Sequence, residues 1–142
     1  MEWHLRFGTD GERQVADRLV SYVEAIRPIL VEIAAESEAA FELRVKWLRK
    51  EVNRDELQAR LDKLLNNLDK YQQWYAGFLR DEMKPEFQSI SGGLLGNFNK
   101  LATYCNQDAA LLEQKLGSCH SCADDAVEGI NQFLGLPTNY PY

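Results

Sequence analysis

One short stretch of this 142-residue chain has the residue types of a reactive or metal-binding centre: GSCHSCADD, residues 117–125, with two of the three cysteines and one of the two histidines. Four chemistries compete for it. Haem attachment needs Cys-x-x-Cys-His, but His120 lies between Cys119 and Cys122 and Ala123 takes the required place. Tetrahedral zinc needs four ligands, and Cys105, Cys119, His120 and Cys122 supply suitable types. On a continuous helix, however, Cys105 lies ~18 Å from the turn at Gly117. Antiparallel packing then sets it opposite Gly129, and the zinc site forms only if the helix breaks near residues 106–108. A redox dithiol fits the Cys119/Cys122 spacing at a helix N-terminus, where free amides and the dipole favour thiolate. Asp124 and Asp125 oppose that activation. The fourth reading is structural: Cys119, Cys122, Ala126 and Ile130 share one helical face, cysteine packs as a small hydrophobe, and Ser118 or Ser121 caps the helix. The residue types favour this last reading, so neither a metal nor a cofactor is expected.

Other clusters carry less chemistry. Glu32, Glu36, Glu38 and Glu42 form a run without a base. A di-iron bundle requires Glu-x-x-His pairs, which His4 and His120 do not complete. The run reads as a solvated face or as the docking face for a basic protein. Arg44, Lys46, Arg49, Lys50 and Arg54 could meet nucleic acid, with Lys46, Lys50 and Arg54 four apart beside Trp47, but they also balance the neighbouring acids. Tyr71, Trp74, Tyr75 and Phe78 read as core, with Trp74 and Tyr75 as candidate interface anchors. Ser-Gly-Gly-Leu-Leu-Gly lacks the lysine and preceding strand of a phosphate loop.

The elements that position these groups are helical. Thr9-Asp10-Gly11-Glu12 has capping-box form, and Val15, Leu19, Tyr22, Val23 and Ile26 follow at helical spacing. Pro28 predicts a kink or restart, because its ring clashes with the carbonyl of Glu24. The apolar stripe then runs Ile29, Ile33, Phe41, Val45, Leu48 and Val52, and breaks phase at Asn53, where the chain is expected to reverse. Leu57, Leu61, Leu64, Leu68, Tyr71, Tyr75 and Phe78 alternate steps of four and three over residues 54–83. Leu65, Trp74 and Leu79 widen that stripe. A fourth helix is expected from Leu94 to Leu116 with Gly117 as C-cap, and a fifth from Cys122 to Phe133, stopping at Gly135.

The expected architecture is an all-α, single-domain bundle of four to five mostly antiparallel helices around a long heptad-patterned one. Residues 1–8 are irregular, 84–93 form an internal linker and 135–142 an extended tail.

The net charge of −6 is uneven. Residues 1–43 carry nine acids and four bases, residues 44–70 eight bases and five acids, and residues 71–142 eight acids and four bases. The overall sign opposes nonspecific phosphate binding. Three cysteines and an N-terminus without an apolar signal core fit the reducing cytoplasm, and no stretch is apolar enough to span a bilayer. The functional expectation is a non-enzymatic protein-binding module of inhibitor, immunity or adaptor type, engaging a basic protein. A thiol protein using Cys119 and Cys122 is the alternative, and a nucleic-acid factor using residues 44–54 a weaker one. Self-association through the heptad helix is a further possibility.

Overall fold

A computed structural model of the chain describes residues 10–82, 94–105 and 107–136. Among these residues the regular structure is entirely helical: α1 (Asp10–Leu48), α2 (Arg54–Glu82), α3 (Leu94–Ala102), α4 (Ala109–Gln114) and α5 (Leu116–Leu134). The expected linker 84–93, residues 1–8 and the tail beyond Leu136 lie outside the described residues, as does the Thr9 cap.

The 39-residue α1 is the spine. It runs through Pro28 without a break, contrary to the restart expected there. Proline in a helix interior costs ~3 kcal/mol, but Pro28 is exposed, and Val23, Ile26, Leu30 and Ile33 on either side of it are all buried. Solvent can serve the Glu24 carbonyl while packing holds the helix. Leu19, Val23, Ile26, Leu30, Ile33, Ser37 and Ala40 form a buried heptad repeat in α1, completed by small residues, with Val20 and Ala34 buried beside it. The larger residues expected to continue the core are not in it. Phe41 is 47% and Leu48 58% exposed, and half-buried Val45 lies outside the core cluster.

The chain reverses where the phase break predicted. The last turn of α1 closes with the Glu51 amide on the Lys46 carbonyl (2.9 Å) and the Lys50 amide on that of Trp47 (2.9 Å). Lys50 takes the left-handed conformation, φ 64°, that such an ending requires. Asn53 then caps α2, its Oδ1 accepting from the amides of Asp55 (3.0 Å) and Glu56 (3.3 Å). Every expected heptad residue of α2, from Leu57 to Phe78, is buried, while Leu79 is exposed. That face packs inside the chain, so it is not free to join copies.

The single helix expected over 94–116 is broken. The turn at Thr103–Cys105 ends α3, Asp108 caps α4 through its Oδ1 and the Leu111 amide (2.9 Å), and α5 starts at Leu116. Gly117 therefore lies inside α5 rather than ending a helix, and Ser118 and Ser121 do not cap it. Asp124 and Asp125 fall well beyond its first turn. The end of α5 is as expected: Gly135 sits at φ 76°, with its amide on Gln132 and the Leu136 amide on Asn131.

Cross-contacts give the arrangement. Glu36 meets Arg60, and Tyr22 meets Trp74, so α1 and α2 are antiparallel. Arg27 meets Asn131, and Ala34 meets His120, so α5 runs antiparallel on another flank of α1. Tyr71 donates to the Phe98 carbonyl (2.6 Å) and Tyr75 to Asn99 Oδ1 (3.0 Å), tying α3 to α2. Against α5, α3 lies so close at Gly129 that a Cβ there would stand 2.8 Å from Asn97 Nδ2.

Candidate functional site

The cysteines come first, because the break after α3 changes their geometry. Cys105 is not opposite Gly129. It sits in the turn that follows α3, electrostatically close to Cys119, which in turn senses Cys122. The helix break that a zinc site required has occurred, yet the set does not assemble. His120 lies about 200° round the helix from Cys122, at 100° per residue. Its Nδ1 is 2.8 Å from the Ala34 carbonyl on α1. That oxygen only accepts, so Nδ1 carries the proton. Among the described residues no group of three or more His, Cys, Asp or Glu side chains could hold a metal.

Two of the thiols, Cys119 and Cys105, are not activated toward thiolate. Burial, then the neighbouring Cys122 and Cys105, push the Cys119 thiol up to about 12. Burial and Asp69 do the same to Cys105, also to about 12. Cys119 is not among the free amides of a helix end, since its amide already bonds Lys115 (2.9 Å). All three cysteines are free. Cys119, Ala123, Ala126 and Ile130 form the buried face of α5, with Cys122 half-buried beside it. Small side chains here let α5 lie close to α1.

The acidic run does not form one surface. Glu32 and Glu36 line an open groove between α1 and α2 with Lys63, Asn66, Asn67 and Lys70. Glu36 is held by Arg60, with both carboxylate oxygens 3.1 Å from Nη1. Glu38 and Glu42 are exposed and point elsewhere, since Glu38 lies about 160° round the helix from Glu36's own flank.

The basic segment divides as well. Arg54 clasps Glu113 of α4 through two bonds of 2.9 and 2.6 Å, and Arg44 approaches the same carboxylate at 3.4 Å. Arg54 also lies over the Trp47 ring, 4.6 Å from its centroid. The bond from Arg54 holds the Glu113 carboxyl below its ordinary range, against an opposing effect of burial. Because α1 ends at Leu48, Lys46, Lys50 and Arg54 share no helical face. Lys46, Arg49 and Lys50 remain exposed.

Trp74 and Tyr75 belong to an aromatic cluster with Tyr22, Tyr71, Phe78 and Phe98. Trp74 stacks on Phe78 at 5.1 Å and meets Phe98 edge-on at 5.2 Å. Tyr75 is buried. They join α2 to α3 and α1 and present little to a partner.

One surface remains, which the residue pattern had assigned to the core. Arg27, Ala34, Phe41 and Leu48 are spaced seven apart and lie along one line of α1. The first two meet α5: Arg27 Nε donates to Asn131 Oδ1 (2.9 Å), and the Ala34 carbonyl receives His120. One turn beyond His120, α5 ends at Leu116. From Glu38 to Leu48, ~15 Å of α1 at 1.5 Å per residue therefore lies past the end of α5 on this flank, while Ala40, Leu43 and Trp47 on its other flanks stay packed against the core. Phe41, Val45 and Leu48 fall within about 60° of one another there. Exposed Glu38, Glu42 and Arg49 border them on the outer side.

The chain matches no protein-family model, no curated protein and no solved structure. Its function must be argued from its own surface.

Proposed function

We propose that this chain is a non-enzymatic protein-binding module, of inhibitor, immunity or adaptor type, that works in the cytoplasm and engages a basic protein through the projecting end of α1. The observation that carries this reading is the uncovered line Phe41–Leu48. An apolar strip rimmed by charge has the anatomy of an interface core, with aromatic and aliphatic anchors at the centre and ions at the edge. Glu38 and Glu42 form the acidic part of the rim, which favours a cationic partner and accelerates its approach at low salt. The anchors proposed are thus Phe41 and Leu48 rather than Trp74 and Tyr75, and the acidic contacts are Glu38 and Glu42 rather than the whole run with Glu32 and Glu36. Three free thiols fit a reducing compartment.

No specific observation favours the alternatives. High-pKa thiols suit packing better than redox chemistry. Arg44 and Arg54 answer Glu113, which leaves few cations for phosphates.

The test is a photo-crosslinking amino acid at position 41, with position 62 on α2 as the control. In cells that naturally make the protein, position 41 should capture one basic protein that position 62 misses. The adduct should disappear in E38K/E42K. Equal labelling from both positions, or none from position 41, would reject this surface.

A further inference from the structure

We propose that, when no other protein is bound, the projecting end of α1 is covered by a second copy of this chain. The two α1 segments pair antiparallel about a two-fold axis near residues 44 and 45. This rests on reading the uncovered line as a binding surface, and adds what occupies it at rest.

Three observations select this occupant. The first is the symmetry of the strip. Phe41 and Leu48 are one heptad apart and both stand out from the core cluster. A two-fold axis midway between them sets Phe41 of each copy against Leu48 of the other, as an isologous interface demands.

The second is the order of charge along the outer edge. Glu38 and Glu42 lie there on the N-terminal side, and Arg49 at the same edge on the C-terminal side. With Phe41 opposite Leu48, Arg49 of the second copy falls opposite Ala40, between Glu38 and Glu42, and the reciprocal contact forms at the other end. A parallel pairing would set glutamate against glutamate and arginine against arginine. Like charges in register oppose association, so the antiparallel sense is chosen. Among the described residues none of these three ions is held elsewhere: Glu38, Glu42 and Arg49 are all exposed, whereas Arg44 is already engaged by Glu113.

The third is size. About 15 Å of paired helix buries less than the ~800 Å² per partner of a stable complex. The dimer is therefore weak and exchanges readily, as a surface that must yield to another protein requires.

Sedimentation velocity of the full chain from about 5 to 500 µM tests this, since weak dimers span that range. The wild type should shift from monomer to dimer. L48D should weaken the dimer at least roughly tenfold, because a charge replaces an apolar contact at both ends. Its thermal melt should match that of the wild type, since Leu48 is 58% exposed and outside the buried core. E38K/E42K and R49E should each dimerise several-fold more weakly alone, yet mix into a heterodimer near wild-type strength.

A wild type that stays monomeric throughout overturns the proposal, as does a dimer indifferent to L48D. A mixture that fails to recover overturns the antiparallel register. Crosslinking of a basic protein from position 41 is a separate readout. A monomer that still captures that protein removes the dimer and keeps the partner. A dimer without any captured protein does the reverse.

Discussion

Two stretches of the same helix behave oppositely. From Leu19 to Ser37, α1 is covered by α2 on one flank and α5 on another, and its heptad positions are buried. From Glu38 to Leu48 the cover by α5 has ended, and residues as apolar as those of the core face solvent. Phe41 and Leu48 occupy the line that Ala34 occupies one turn and more before them, yet Ala34 is 2% exposed and Leu48 58%. Composition therefore does not decide what is core; the length of the neighbouring helix does. Where small residues stand, α5 lies close. Beyond the end of α5, Phe41 and Leu48 on that line are left about half exposed.

The strongest test of this contrast is a pair of truncations. Leu30→Ala, in the covered stretch, should cost ~2–5 kcal/mol, while Phe41→Ala should stay within about 0.5 kcal/mol. Urea unfolding with unchanged m-values measures both. A comparable loss at Phe41 would show that the projecting end is packed after all.

The next effect concerns the clasp that joins α4 to the root of the projection. Glu113→Gln removes a charge-assisted pair with Arg54, which is partly exposed, so about 1–2 kcal/mol is expected. The folded chain holds this carboxyl below the ordinary glutamate value of 4.5. A lowered folded pKa stabilises the fold above that value and is lost as the pH falls through the folded one. The gap between wild type and E113Q should thus be full near neutrality and shrink as the pH falls below the ordinary value and through the folded one. A gap that persists in acid would mean the variant disturbs packing instead.

A smaller gain is expected at the end of α1. Lys50→Gly relieves a left-handed residue, φ 64°, and should stabilise by ~0.5–1 kcal/mol in thermal melts. A loss would show that the Lys50 side chain matters to the turn. The least energetic contrast is between thiols. Burial raises the Cys119 thiol to about 12, so it is almost wholly protonated at pH 7. Iodoacetamide should modify Cys122 first and reach Cys119 only as the chain opens. Rapid labelling of Cys119 would revive the redox reading.

Much of the fold was legible in the residues because apolar spacing at three and four is a direct image of burial in a helix. All seven heptad residues of α2 were read correctly, as were the reversal at Asn53 and the Gly135 ending. What misled was size. In α1 the core register continues through Ser37 and Ala40, which carry little hydrophobic signal, so the larger Phe41 and Leu48 drew the stripe into the wrong phase. The site was hidden by the same error, and the signal that could have found it was the unbroken heptad from Leu19. Pro28 misled because a local penalty was weighed without the tertiary packing that outweighs it. Asp108, a good cap inside an apparently periodic segment, was the one available sign that the fourth helix divides. Reading the helix as continuous there, with the break only as an alternative, put Cys105 in the wrong place.

The last helix in the chain supplies one wall of the middle of the first, and that fixes an order of events during synthesis. Translation at ~5–20 residues per second leaves roughly 3–10 s between the emergence of Glu82 and that of Leu134. Through that interval the flank of α1 that α5 covers in the finished fold, from Arg27 to Ala34, lacks its partner, next to the line of Phe41 and Leu48. For those seconds a chaperone or an early-binding protein would find more of α1 uncovered than the finished fold leaves open.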